Sequence, residues 1–385
     1  MHIQRGTLVL LLAYAGFISL GLPDSILGVA WPFMRRDFGL PLDALGLYFL
    51  VGTAGYFLSS VNSGRMVRRW GVGRILSYSG LLTALCLMGC AAAPSWLTIV
   101  ALSFFGGMGA GAIDAGINTY AAIRFSPRHV NWLHACWGIG AATGPAIMTA
   151  VIGLGASWRW GYISVMSMLL VLTAGFFATT RFWALTESTD EKTTAHVSRR
   201  NTLTLSSAWM SIGLFFIYCG VEASTGQWAY SLLVESRRVS PVTAGFWISL
   251  YWGALTAGRF VIGAIANRIA PMKLLRLCMT GTILGTGLLS FRHHAGLAAF
   301  ALALTGFSLA PIYPSLIALT PRRFDRTHVA NVVGFQVAGA GLGIAVAPLL
   351  VGVVAARTSL ESLPPVLIVM CLLMFLLSEH LEKMR

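Results

Sequence analysis

Apolar stretches long enough to span a bilayer recur along the chain from Thr7 to Leu377, separated by short polar breaks. About 20 mostly apolar residues in helical form cross the hydrocarbon layer. The pattern predicts about twelve spanning helices, at 7–30, 44–66, 73–92, 96–122, 131–153, 160–180, 206–232, 242–264, 272–290, 296–319, 328–353 and 363–379. The first run follows Arg5 and invites comparison with a signal peptide. It continues past the usual signal core and meets no cleavage pattern before Asp24, so it is read as the first span. A polar stretch from about Arg181 to Leu205 separates six spans from six. The expected domains are an N-terminal bundle at 1–180, a cytoplasmic linker at 181–205 and a C-terminal bundle at 206–385.

Composition agrees with this pattern. Of 385 residues, 56% are hydrophobic and only 10% charged, and the mean hydropathy is +0.75. A soluble globule of that size needs more polar surface, so the fold class expected is all-α and integral to a membrane. The net charge of +14 raises nucleic acid as a partner. Its placement argues otherwise. On an alternating path that starts inside, twenty of the 27 Lys and Arg fall at or near the cytoplasmic side, the other seven being Arg35, Arg36, Arg159, Arg237, Arg238, Arg292 and Arg357. That bias predicts both termini in the cytoplasm and leaves the basic loops as topology signals, with a lipid bilayer and no nucleic acid as partner. The six cysteines, Cys86, Cys90, Cys136, Cys219, Cys278 and Cys371, lie in apolar spans without metal or redox spacing, and no disulfide is expected.

The second half repeats landmarks of the first. Gly46 and Gly245, Gly64 and Gly263, Arg69 and Arg268, Arg124-Phe125 and Arg323-Phe324, and His129-Val130 and His328-Val329 are each 199 residues apart. After a small insertion, Gly138-x-Gly140-x4-Pro145 matches Gly341-x-Gly343-x4-Pro348. Two six-helix halves in the same order imply a parallel repeat about an axis along the membrane normal.

Over essentially its whole length this pattern resembles the major facilitator superfamily, which implies two six-helix bundles related by pseudo-two-fold symmetry. The loop Gly64-Arg65-Met-Val-Arg68-Arg69-Trp-Gly71-Val-Gly-Arg74 is similar to that superfamily's basic, Gly-rich signature. The resemblance implies a gating role for Arg65, Arg68, Arg69 and Arg74, and for Asn267 and Arg268 in the second copy. The acid that family members use in a cytoplasmic latch is absent, with Arg68 and Asn267 at its positions. Arg259, near the cytoplasmic end of its helix, is a further gating candidate, or an arginine snorkelling to the interface.

Within the spans, acids carry the candidate chemistry. Asp24 follows Pro23, and Glu222 stands at nearly the corresponding point of the repeat. An ionised group at mid-bilayer depth costs roughly 2.5–3.5 kcal/mol, so it faces a wet cavity, finds a partner or carries a proton. Asp114 and Asn118 are spaced i,i+4 in the Gly-rich fourth span and share a face. With Asp24, this block resembles the fucose-galactose-proton symporter branch, in which acids on helices one and four handle sugar binding and protonation. That branch commonly has Glu where Asp114 stands.

The resulting candidates are Asp24, Asp114 and Glu222 for proton coupling, and Asp24, Asn118, His134, Trp137, Gln227, Trp228, Trp252, Tyr313 and Gln336 for solute contact. Hydroxyls of a sugar can be held by the polar groups while an aromatic such as Trp228 stacks on the ring. Competing roles remain for several of them. Asp24 could cap a helix broken at Pro23, and Glu222 could be a second protonation site, a cation ligand or a substrate contact. Pro311 and Pro314 predict a bend around Tyr313.

The expected activity is import of a small polar solute, a sugar, by proton symport. Proton-coupled drug or metabolite efflux, sodium-coupled sugar uptake and a non-transporting receptor are the alternatives. Gly140-Ala-Ala-Thr-Gly144-Pro145 resembles the start of an antiporter signature but lacks its terminal glycine pair. No P-loop, zinc-protease motif or nucleotide fold is present, so neither an enzyme nor an ATP-driven pump is expected, and no cofactor beyond a proton or sodium gradient. The superfamily resemblance implies a monomer, and the reading places it in a bacterial inner membrane.

Overall fold

The computed structural model describes residues 2–125, 127–184, 199–265, 269–292 and 295–384. Among these, every regular element is helical. The long helices of the first half are α1 (His2–Phe38), α2 (Leu45–Trp70), α3 (Val72–Ala92), α4 (Trp96–Arg124), α5 (Pro127–Gly153) and α6 (Arg159–Thr179). After the short α7 (Arg199–Leu203) come α8 (Ser206–Ser231), α9 (Pro241–Ile265), α10 (Pro271–Leu288), α11 (Ala295–Leu309), α12 (Ile312–Arg323), α13 (Arg326–Arg357) and α14 (Leu363–Lys383).

Ten segments are long and apolar enough to cross a membrane, with α11 and α12 together forming one of them. α9 and α10 stand where the other two spans are expected. Arg259 in one and Lys273 and Arg276 in the other set charge within these spans. The fold is thus twelve spanning segments in two six-helix bundles, and the protein is integral to a membrane. Side chains such as Val171, Leu97 and Leu277 remain 76%, 71% and 68% exposed, as lipid-facing positions require.

The chain divides into two compact units, residues 1–188 with 241–249 and residues 189–240 with 250–385. Of the expected linker, residues 185–198 lie outside the described part, as do Asn267, Arg268, His293 and His294.

Inside each unit, glycines bring the helices together. In the first, a side chain at Gly21 would strike the Trp137 carbonyl on α5, and one at Gly140 would strike the Ile18 carbonyl on α1. In the second, Gly343 of α13 meets the Phe216 carbonyl of α8 in the same way. Gly107 of α4 meets the Gly52 carbonyl of α2, and Gly306 of α11 meets the Tyr251 carbonyl of α9. Both members of that last pair are 199 residues apart, so the sequence repeat is a repeat of backbone contacts. Without water to drive apolar faces together, helices in lipid gain chiefly from close van der Waals approach.

Gly140→Leu and Gly343→Leu are therefore expected to damage the protein similarly. Overpacking costs about 1–3 kcal/mol even where neighbours adjust, and a carbonyl adjusts less than a side chain. Size-exclusion of a fluorescent fusion in detergent measures this, and an unchanged sharp peak for either variant would refute the close-approach argument.

Polar ties close one end of each bundle. In the first, Trp158 Nε1 donates to Asp37 at 2.7 Å, and Arg159 donates to the Ala91 and Ala93 carbonyls at 2.7 and 3.1 Å. In the second, α8 runs into a π-helical turn at Leu232–Ser236. Arg237 follows and holds Glu361 through Nε at 3.0 Å and Nη2 at 2.9 Å. The same guanidinium donates to the Leu289 carbonyl at 2.7 Å, while Arg292 approaches Glu361 at 3.3 Å.

Candidate functional site

The intramembrane acid of α1 sits in a helix that continues unbroken through Pro23 and Pro32. Asp24 therefore caps no helix end, which removes the capping alternative. Its carboxylate is exposed and accepts from Trp137 Nε1 of α5 at 3.4 Å. The collision-prone contact between Gly21 and Trp137 explains how this indole reaches it: α1 and α5 touch three residues away.

Asp114 lies half-buried on α4. Asn118 donates to its Oδ1 at 2.9 Å, the bond that the i,i+4 spacing anticipates. Its Oδ2 accepts from the Tyr56 hydroxyl of α2. Asp24 and His134 are both within electrostatic reach of Asp114, and the exposed His134 packs edge-on against Phe17 of α1 with ring centroids 5.2 Å apart. Two acids, an amide, an imidazole, an indole and a phenol from α1, α2, α4 and α5 thus form one polar cluster in an otherwise apolar bundle.

The acid of the second bundle has different surroundings. Glu222 accepts from the Tyr218 hydroxyl one turn earlier on α8, and Arg259 of α9 lies 3.8 Å away. Tyr251 donates to the Glu222 carbonyl at 2.9 Å. Arg259, expected as a gate or a snorkelling residue, stands as a counter-ion to Glu222 within the second unit. At the position 199 residues after Asp114 stands Tyr313, whose ring lies 5.0 Å from Phe215 and 5.9 Å from Tyr218. An acid in one bundle is matched by an aromatic contact in the other.

Four solute candidates are buried in packing. Trp228 is 1% exposed, and its Nε1 donates to the Pro348 carbonyl at 2.8 Å while its ring abuts Gly352. An indole so enclosed offers no face for stacking in this arrangement. Gln336, 1% exposed, donates to Ser211 and Thr320 at 2.6 and 2.9 Å, tying α8, α12 and α13 together. Gln227 and Trp252 are 6% and 5% exposed, with Trp252 lying against Gly226.

Of the gating candidates, Arg65, Arg69 and Arg74 are exposed around the turn that joins α2 to α3. That turn needs Gly71, whose φ of 75° few other residues adopt. The Arg68 side chain, like Asn267 and Arg268, lies outside the described part.

A cavity of about 560 Å³ lies elsewhere, lined by Arg322, Arg323, Asp325 and His328 among others. None of the intramembrane acids contributes to it. The chemistry-bearing cluster of the first bundle is therefore the better candidate site, and sequence reasoning missed Tyr56 within it. The available signal was the matched small-residue faces Gly52-x2-Gly55 and Gly107-x3-Gly111, which bring Tyr56 alongside α4.

A sequence model of the Major Facilitator Superfamily matches residues 13–298 and 210–381. The chain is 21% identical over 366 residues to the glucose/mannose transporter GlcP of Bacillus subtilis, covering 90% of this chain and 88% of that protein. Among solved structures it is similar to a variant of the nucleoside transporter NupG, with a TM-score of 0.78, 13% identity and coverage of 98% and 99% of the two chains. A variant of the E. coli fucose:proton symporter FucP gives a TM-score of 0.66 at 14% identity, with the same coverage. At such identities these structures speak for the fold.

Proposed function

The chain belongs to the Major Facilitator Superfamily, and from that premise we propose that it imports a small polar solute, a sugar, by proton symport and alternating access. The observation that carries this reading is the convergence of Asp24 and Asp114 with Trp137, Tyr56, Asn118 and His134 in the first bundle. Carboxylates accept hydroxyl hydrogen bonds, and an amide both donates and accepts, so the cluster suits a polyol better than an apolar or cationic drug. The likeness to GlcP supports a sugar-like solute.

Asp24, exposed and steadied by Trp137, is assigned to solute recognition. Asp114 is assigned to the proton. A carboxylate enclosed with poor solvation takes up a proton, and one opened to a more alkaline side releases it, so proton affinity follows access. Glu222, expected at first as a further proton site, already has Arg259 and Tyr218 as partners. It is assigned to holding α8 against α9. We place the protein as a monomer in a bacterial inner membrane with both termini cytoplasmic, on the positive-inside bias of its loops.

The test uses purified protein in liposomes and a panel of labelled hexoses, pentoses and cationic drugs, each with and without an imposed pH gradient. The expected result is accumulation of a sugar only when the outside is acidic. Accumulation under a sodium gradient alone would replace the proton with sodium, and extrusion of a cationic compound would replace import with efflux.

A further inference from the structure

We propose that Tyr56 is the positioning residue that holds the Asp114 carboxylate ionised and oriented until a proton arrives, an inference that rests on reading Asp114 as the proton carrier. The two oxygens of Asp114 have separate donors. Asn118 serves Oδ1 at 2.9 Å from the same helix and moves with it. Tyr56 serves Oδ2 from α2.

The backbone beneath Tyr56 is fixed on several sides. A side chain at Gly111 would stand 2.6 Å from the Tyr56 carbonyl, and Gly107 meets the α2 backbone at Gly52 and Tyr56. Gly55 in turn meets the Phe104 carbonyl of α4, and Ser59 donates to the Tyr56 carbonyl at 3.0 Å. The phenol is aimed by interlocked helices, not by a flexible loop.

The groups facing Asp114 can be named element by element. α1 presents the like charge of Asp24, and α5 presents His134, which attracts the carboxylate when protonated. α2 contributes Tyr56. α3 contributes Ser79 and Thr83 beside Gly109, and Cys86 beside Gly106, which are further along the helix. No Lys or Arg pairs with Asp114 among the described residues. A phenol O–H donates well to a carboxylate, but protonation puts hydrogen on an acceptor oxygen and weakens that arrangement. Tyr56 therefore favours the ionised state, and the bond between α2 and α4 changes when the proton binds.

Tyr56→Phe keeps the ring and removes the donor. The pH midpoint of gradient-driven uptake is expected to move upward by about one unit, a tenfold change in proton concentration. Infrared difference spectra of purified protein, titrated with pH, supply a readout independent of transport. A protonated-carboxyl band absent from Asp114→Asn should titrate at higher pH in Tyr56→Phe. An unshifted band or midpoint, with or without a lower maximal rate, would overturn the role of Tyr56. Concentrative uptake by Asp114→Asn would instead overturn the reading of Asp114 itself.

Discussion

Asp114→Asn abolishes proton-driven accumulation while leaving exchange of solute across the membrane: this is the largest functional effect expected. One proton moving through 100 mV supplies about 2.3 kcal/mol, enough to accumulate a solute nearly fifty-fold. If Asp114 carries that proton, the amide removes the whole driving term and the ratio falls to about one. Folding should survive, because an amide oxygen still accepts from the Tyr56 hydroxyl and Asn118 remains on the same helical face. Counterflow of labelled against unlabelled sugar requires no net proton movement, so it is expected to persist at a rate within roughly tenfold of the parent. Uphill uptake that matches the parent would reject Asp114 as the carrier. Loss of both activities, with an intact size-exclusion profile, would assign it to solute recognition.

The second large effect is on stability. Arg259 and Glu222 are 23% and 13% exposed, so neither charge is fully hydrated. Removing one member of a fully buried pair costs about 3–5 kcal/mol; for this half-buried pair about 1–3 kcal/mol is expected, since the remaining charge is left without its counter-ion. Arg259→Gln should therefore lower the unfolding temperature in detergent markedly, and Glu222→Gln should do likewise. The double variant is expected to recover most of the loss, because it buries two neutral amides of similar shape. A double-mutant cycle by thermal unfolding isolates the coupling. Additive losses would mean that the 3.8 Å approach contributes nothing. The same double variant bears on mechanism: uptake that still responds to the pH gradient leaves the proton with Asp114, while loss of that response moves it to Glu222.

The parts of this protein that sequence revealed are those encoded by spacing along one helix. Hydropathy located the spans because the bilayer demands long apolar runs. The 199-residue register carried through to the Gly107 and Gly306 contacts, and the i,i+4 pair of Asp114 and Asn118 is a hydrogen bond. The interruption expected around Tyr313 is present, since α11 ends at Leu309 and α12 begins at Ile312 with Pro311 between them.

What escaped depends on which helices cross and at what height. Trp137 reaches Asp24 and Tyr56 reaches Asp114 only because glycine contacts set those crossings. Arg259 looked like an interfacial cation by its place near a helix end, and only the α8 and α9 packing reveals its partner. Trp228 looked like a stacking surface because composition cannot distinguish an aromatic facing a solute from one filling a gap beside Gly352.

The knot of charge around Glu361 has a mechanical corollary. Arg237, Arg292 and Glu361 come from three separate inter-helix connections of the second bundle, α8 to α9, α10 to α11 and α13 to α14, so that rim cannot splay without stranding ions. The pliable point of this half is then the kinked span at Pro311, where the missing amide leaves the backbone fewer restraints. Bending there would swing α12 beneath a rim that stays laced, as a hinged flap swings from a fixed frame.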